Sequence, residues 1–262
     1  MEAALEGHTG PVVAVGGDGT IRSVIQALIG RKNPLLILPG GSANNIARSL
    51  GLTDWDLPQL VAGYQDPIRR HIDIGRITFP WGEEVHFVEG AGFGLFADAM
   101  ATYDPSQGKS FARGLQTAFE KLADETSYRA KMTIDDEHID AEYRLVEILN
   151  TDSVGPRLPF SPEARLTDGT LHVVFVNSEV PVSNALVALL ARRLSSLDGV
   201  ETREGRNITI AWDGFKLHVD GYIFPDEQTT RALSKNPPKD NTIQIKLIPK
   251  GLNLWIPQPE AE

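Results

Sequence analysis

The sequence predicts an α/β domain at the N-terminal end, followed by a β-rich, sandwich-like domain. Two patterns predict this. Near the start, an apolar run of strand length twice leads through a turn cluster into a helical pattern. The first is Val12-Val13-Ala14-Val15 before Gly16-Gly17-Asp18-Gly19-Thr20, and the second is Leu35-Leu36-Ile37-Leu38 before Pro39-Gly40-Gly41-Ser42-Ala43-Asn44-Asn45. From about Pro67 the character changes to short alternating or apolar runs separated by turn residues, as antiparallel strands require. The expected boundaries are residues 1–66 for the α/β domain, 67–250 for the β-rich domain and 251–262 for a C-terminal tail, of which Pro257–Glu262 is expected to be mobile.

In the first domain, one helix is expected to open at Thr20. A second resumes at Ile46-Ala47-Arg48-Ser49-Leu50 until Gly51 stops it. Two successive strand–loop–helix units imply a parallel sheet with both loops at its carboxyl edge, where open α/β sheets bind ligands. In the second domain, strands are expected at Ile68–Ile77, Val85–Val88, Ala130–Ile134, Tyr143–Leu149, Leu171–Val176, Ile208–Ala211, Lys216–Val219 and Thr242–Ile248. Helices are expected over Ser110–Thr126 (Phe111, Leu115, Phe119 and Leu122 at helical spacing) and over Pro181–Leu197. Glu201–Gly205 and Ser234–Asn241 read as polar loops.

Composition narrows the function classes. The chain has 262 residues, enough for two modest domains or one large one. A net charge of −10 argues against general nucleic-acid affinity and against strong docking on anionic lipid. The absence of cysteine excludes disulfides and thiolate metal sites and fits a reducing cytoplasm. No run is long and apolar enough for a membrane span, and MEAALEGHTG lacks the basic region and apolar core of a signal peptide. Arg192-Arg193 reads as a small candidate for lipid contact or, more simply, as cations at a helix C-terminus.

The two loops carry the chemistry. Glycines let a ligand approach the main chain, and free N–H groups at a helix start favour a phosphate. Asp18 alone would repel a bare phosphate, so a metal, a hydroxyl or a sugar is expected beside it. That combination points to a nucleotide and phosphoryl transfer. Ser42, Asn44 and Asn45 add neutral hydrogen-bonding groups.

GGDGT followed by PGGSANNIARSLG resembles the diacylglycerol kinase catalytic family, which includes bacterial lipid kinases and the sphingosine and ceramide kinases. Ser42 stands where that family usually has Thr, and Asn45 where it has Asp, so Asn45 is given no acid or base role. Ile72-Asp73-Ile74-Gly75, Phe87-Val88-Glu89-Gly90-Ala91-Gly92-Phe93-Gly94 and Asp168-Gly169 follow in the family's order, so the resemblance runs from about Pro11 to Ile248. It implies two domains with the active site in the cleft between them. The family begins with a further strand and an N-P-x-S-G turn, so the α/β domain is expected to be partly truncated.

The resemblance further implies an ATP-dependent lipid kinase that uses Mg²⁺. Gly16, Gly17, Gly19 and Thr20 from the first loop, and Gly41, Ser42 and Asn44 from the second, would cradle the phosphates. Asp18 would orient Mg²⁺ or help take the substrate proton. Asp220, in Leu217-His218-Val219-Asp220-Gly221-Tyr222, matches the Asp of the family's D-G-E motif and is the candidate general base; Tyr222 replaces the Glu. Asp220-Gly221 is also a plain hairpin-turn signal. A structural Mg²⁺ is expected at Asp168 with carbonyls of Arg165 and Thr170. The implied partners are a diacylglycerol-like lipid and a transient membrane surface, in a cytoplasmic protein that is peripheral at the membrane.

Other residues leave alternatives open. Asp73 binds at the crossover or caps a local turn. Glu89, in an apolar and glycine-rich run, lies at the cleft or makes a structural hydrogen bond. Phe93, Phe96, Met100 and Phe111 line a lipid pocket or form plain core. The six histidines show no ligand spacing. The competing functions are a catalytically weak or inactive nucleotide- or lipid-binding protein of the same fold and, less in keeping with the second motif, an NAD kinase.

Overall fold

The computed structural model describes residues 5–102, 126–155 and 157–258. The expected helix over Ser110–Thr126, with Phe111, falls outside these residues apart from Thr126 itself. In chain order the elements are β1 (Val12–Gly16), α1 (Asp18–Leu28), β2 (Leu35–Pro39), α2 (Asn45–Ser49), α3 (Leu57–Gly63), β3 (Ile68–Thr78), β4 (Glu84–Phe87), β5 (Gly90–Gly94), α4 (Leu95–Thr102), β6 (Tyr128–Ile134), β7 (Glu137–Leu149), β8 (Leu171–Asn177), α5 (Val182–Leu190), β9 (Val200–Gly205), β10 (Asn207–Ala211), β11 (Leu217–Val219), β12 (Tyr222–Phe224), α6 (Glu227–Leu233) and β13 (Thr242–Ile256).

The chain folds as two compact units. The first comprises Met1–Ile74, Arg165–Gly169 and Ile248–Glu262. It is therefore discontinuous, which corrects the expected boundary at residue 66 and the expected separate tail. β1 and β2 pair in parallel, Val12 opposite Leu35 through Gly16 opposite Pro39, and Leu254 of β13 pairs in parallel with Leu35. Helix α1 buries Ile21, Val24, Ile25 and Leu28, the spacing of one helical face. Helix α3 starts with a reciprocal capping box between Asp56 and Gln59.

The hydroxyl of Tyr64 donates to the Ile37 carbonyl at 3.0 Å and accepts the Ile37 N–H at 3.1 Å, satisfying main-chain groups of β2. Gly251–Ile256 continue β13, and the Gln258 N–H bonds the Gly63 carbonyl at 3.0 Å, so the chain stays anchored well beyond residue 251.

One buried side chain explains why distant segments join this unit. The Asp73 carboxylate accepts the N–H of Gly169 at 2.9 Å and that of Lys250 at 2.7 Å, while the Asp73 N–H donates to the Leu166 carbonyl at 2.7 Å. The residue is not a local cap. It is a long-range pin among three segments.

The second unit comprises Gly75–Ala164 and Thr170–Leu247. Its strands pair antiparallel, β5 with β7 and β11, β7 with β6 and β8, β8 with β9, and β10 with β6 and β13. Each face of β7 packs into its own core. Val146 and Ile148 enter one with Phe93, Phe175 and Ile245, whereas Leu145 and Leu149 enter the other with Phe96 and Phe160. Burial on both faces accounts for the nearly continuous apolar run Leu145–Leu149. Phe93 stacks on Phe215 at 4.4 Å and Phe96 packs on Phe160 at 5.3 Å, so both are core residues.

Two expectations fail here. Glu201–Gly205 is not a loop but most of β9, paired residue by residue with β8. Its charges mark an outer strand: Arg203 bonds Glu137 at 3.1 Å and Glu201 at 2.7 Å along the surface, as edge strands commonly require. The helix expected over Pro181–Leu197 stops at Leu190. There Arg192 turns into the left-handed region (φ 57°), its N–H bonding Leu189, while the Arg193 N–H returns to Ala188. This is a Schellman stop with arginine in the usual glycine position.

Candidate active site

In the first unit the two glycine loops interlock. The Gly40 N–H donates to the Gly16 carbonyl at 2.9 Å. A Cβ on Gly17 would lie 3.0 Å from the Gly41 Cα, and one on Gly41 would lie 2.5 Å from the Gly17 Cα. A Cβ on Gly16 would meet the Thr20 hydroxyl oxygen at 2.7 Å. The glycines are thus required first by the close approach of one loop to the other.

Helix α1 opens two residues earlier than expected, at Asp18, so the acid sits in its first turn. Its Oδ1 accepts the Ile46 N–H at 3.2 Å and ties the start of α1 to α2. The N-cap of α1 is Gly17, and no side chain caps it among the described residues. First-turn N–H groups, with exposed Gly19 and Thr20, therefore face outward beside the loops, a disposition that suits an anion.

The second loop is braced by its own asparagine. Asn44, in the left-handed region (φ 53°), accepts the Gly41 N–H on Oδ1 at 2.9 Å and donates from Nδ2 to the Gly41 carbonyl at 2.7 Å. Two residues expected to hold a ligand thus satisfy one another and set the loop's shape. Ser42 lies exposed at its tip.

The segment expected to bind Mg²⁺ carries local hydrogen bonds of its own. The Asp168 Oδ2 accepts the Arg165 N–H at 2.8 Å, closing its own turn. Thr170 belongs to the second unit, where its hydroxyl donates to the Gly205 carbonyl at 3.4 Å. Among the described residues no group of three or more His, Cys, Asp or Glu side chains could hold a metal. A single carboxylate with main-chain carbonyls and waters suits a hard cation.

In the second unit, Asp220 and Gly221 form the two-residue turn between β11 and β12, both with positive φ (46° and 91°) and flanked by the pair Val219 and Tyr222. This is the hairpin the dipeptide signals. The carboxylate is also buried and gripped from across the fold. Oδ2 accepts the Val88 N–H at 2.9 Å, and Oδ1 accepts those of Glu89 at 2.8 Å and Gly90 at 3.0 Å. The dipeptide thus forms the hairpin turn and also holds a buried, hydrogen-bonded carboxylate. The Glu89 main chain takes part in the same corner: its carbonyl accepts the N–H groups of Asn150 and Thr151. Tyr222 is 60% exposed.

A second polar pair in this unit escaped the sequence reading. His218 Nε2 lies 2.8 Å from Glu147 Oε2, and both side chains are buried. Burial pushes the Glu147 carboxyl above its usual range, and the neighbouring His218 opposes that shift. The only local signal was an acid interrupting the apolar run Leu145–Leu149 and a histidine between Leu217 and Val219.

Comparison with known proteins agrees with this architecture. Residues 1–77 match the diacylglycerol kinase catalytic domain, and residues 96–238 match the YegS C-terminal NAD kinase beta sandwich-like domain. A Pseudomonas aeruginosa protein named as a YegS-like lipid kinase is 29% identical over 229 residues, covering 84% of this chain and 72% of that protein. A Mycobacterium tuberculosis diacylglycerol kinase is 27% identical over 228 residues, covering 84% and 73%.

The crystal structure of a Bacillus anthracis protein described as a diacylglycerol kinase superposes with a TM-score of 0.75 at 18% identity, over 98% of this chain and 79% of that one. At that identity it speaks for the fold. The β-sandwich match alone spans more than half of the sequence. The chain belongs to the lipid kinase family that joins a diacylglycerol kinase catalytic domain to a YegS-type, NAD kinase-like β-sandwich.

Proposed function

We propose that this protein is an ATP-dependent lipid kinase that transfers the γ-phosphate to a hydroxyl of diacylglycerol or a related lipid alcohol. The observation that carries the reading is the pair of interlocked glycine loops at the carboxyl ends of adjacent parallel strands, beside a helix start that no side chain caps among the described residues. First-turn N–H groups of α1 with Gly16, Gly17, Gly19 and Thr20 hold phosphate oxygens, and Ser42 adds a hydroxyl from the second loop. A divalent cation, Mg²⁺ by the chemistry of the reaction, supplies further charge neutralisation when bound. Asp220 accepts the proton of the lipid hydroxyl as its oxygen bonds to the γ-phosphorus and ADP leaves. The lipid is met at a membrane surface; no described helix is long and apolar enough to cross one.

One feature favours a second reading, a nucleotide- or lipid-binding protein with little turnover. Tyr222 stands where the family motif carries an acid, and a neutral phenol is a poor ligand for Mg²⁺. The deciding experiment is transfer of labelled γ-phosphate from ATP·Mg²⁺ to a mixed lipid extract by the whole chain. A labelled lipid lost on Asp220→Asn supports the kinase. Nucleotide binding without any labelled lipid supports the second reading. The variant also needs a folding control, because an Asn amide would turn an N–H toward a main-chain donor now bound by the carboxylate.

A further inference from the structure

We propose that the hydrogen bond between Glu147 and His218, running over the bare main chain of Gly92, is a transverse clamp that positions Asp220. The inference rests on the reading of Asp220 as the working carboxylate. Three adjacent strands are involved. β5 lies between β7 and β11, with Gly92 opposite both Glu147 and His218. A Cβ at Gly92 would lie 2.5 Å from the Glu147 carboxyl carbon, so only glycine leaves room for the carboxylate to reach across to the imidazole. The His218 ring packs perpendicular to Phe96 of α4 at a centroid distance of 4.9 Å, which holds it from the helix side.

The clamp acts on the Asp220 corner through the shortness of β11. That strand is Leu217–Val219, and Asp220 follows at once. The N–H donors that grip Asp220 belong to Val88, Glu89 and Gly90, at the entry to β5. The placement of β11 against β5 therefore sets where the carboxylate sits among its donors. Leu217 and Val219 contribute apolar packing on the other face. The main-chain ladder fixes the register of β11 on β5, and the side-chain bond from His218 adds a tie across β5 to β7.

The pair is also costly. Glu147 Oε1 and His218 Nδ1 are buried and lack hydrogen-bond partners among the described residues. An apolar pair of similar volume would avoid that cost, so the pair adds little to stability by itself.

The test uses the double variant Glu147→Met/His218→Leu and the conservative single variant Glu147→Gln. The double variant is expected to fold with equal or higher thermal stability, because apolar pairs often replace buried ion pairs without loss. Its kcat on diacylglycerol should fall by about tenfold or more with the KM for ATP within about twofold, the pattern of a misplaced catalytic group. Exchange of the Glu89 and Gly90 amide hydrogens should quicken by about tenfold as their acceptor shifts. Glu147→Gln, which keeps a hydrogen bond to His218, should restore most of the rate and the slow exchange. A folded double variant with wild-type kcat and unchanged exchange overturns the clamp. Absence of turnover in the wild type would defeat the kinase reading instead, and the exchange of the two amides would then decide the clamp alone. If the double variant does not fold, Glu147→Met, which removes the hydrogen bond to His218, takes its place with the same two readouts.

Discussion

A methyl group on Gly41 would sit 2.5 Å from the Cα of Gly17, so the two phosphate-loop candidates are in contact before any ligand arrives. Gly41→Ala must push the loops apart, an overpacking effect of about 1–3 kcal/mol. It should weaken ATP binding by at least about tenfold at constant fold, as measured by calorimetry. Gly40→Ala is the control: its Cβ would stand 3.5 Å from Gly16, an ordinary contact, and its ATP affinity should stay near wild type.

Asp73→Ala strands two main-chain donors, Gly169 and Lys250, around a buried position. Each unsatisfied buried group costs about 1–3 kcal/mol, so a loss of about 2–4 kcal/mol is expected in urea unfolding. Asp73→Asn keeps one acceptor oxygen and should fall between. If the alanine variant matches wild type, Asp73 is not the pin.

Arg192→Gly should stabilise the protein. Arg192 occupies a left-handed position at the end of α5, which costs a side chain roughly 1 kcal/mol and glycine nothing. The only ion pair Arg192 makes among the described residues is with Asp152 at 3.9 Å, exposed and weak. The gain should appear as a small rise in melting temperature.

Asp135 gives an acid-side signature. Partial burial pushes its carboxyl up, but the Asn207 side chain and the N–H groups of Arg206 and Asn207 outweigh this and hold it below the usual aspartate value. Its folded value is thus depressed. The contribution to stability is present above the ordinary aspartate range and is lost as pH falls through the lower, folded value. Melting temperatures of Asp135→Ala and wild type should differ at neutral pH and converge as the pH falls below the ordinary aspartate range. A constant difference across the range would remove Asp135 as the source.

What the sequence revealed follows from locality. β1 and β2 declared themselves as apolar runs ending in glycine clusters, and the Asp220-Gly221 turn was legible as a hairpin, because each signal lies within a few residues. The β9 strand was hidden because its outward charges resemble a loop's, and only its partner β8 reveals it. The roles of Asp73, Glu147 and His218 depend on partners on other strands, so no local spacing encodes them. The same holds for Asn44, whose amide closes on Gly41 where a ligand contact was expected.

The discontinuity of the first unit has a consequence for synthesis. Its parallel sheet includes Leu254, and its pin includes Lys250, yet the whole second unit is translated before either residue leaves the ribosome. The two glycine loops therefore emerge early, while the Leu254 and Lys250 contacts of their unit come only after the β-sandwich is made. Domains usually fold as units in the order they appear. Here the sandwich has all its residues first, and the first unit gains the Leu254–Leu35 pairing and the Lys250 contact to Asp73 only when the strand beyond Ile248 returns to it.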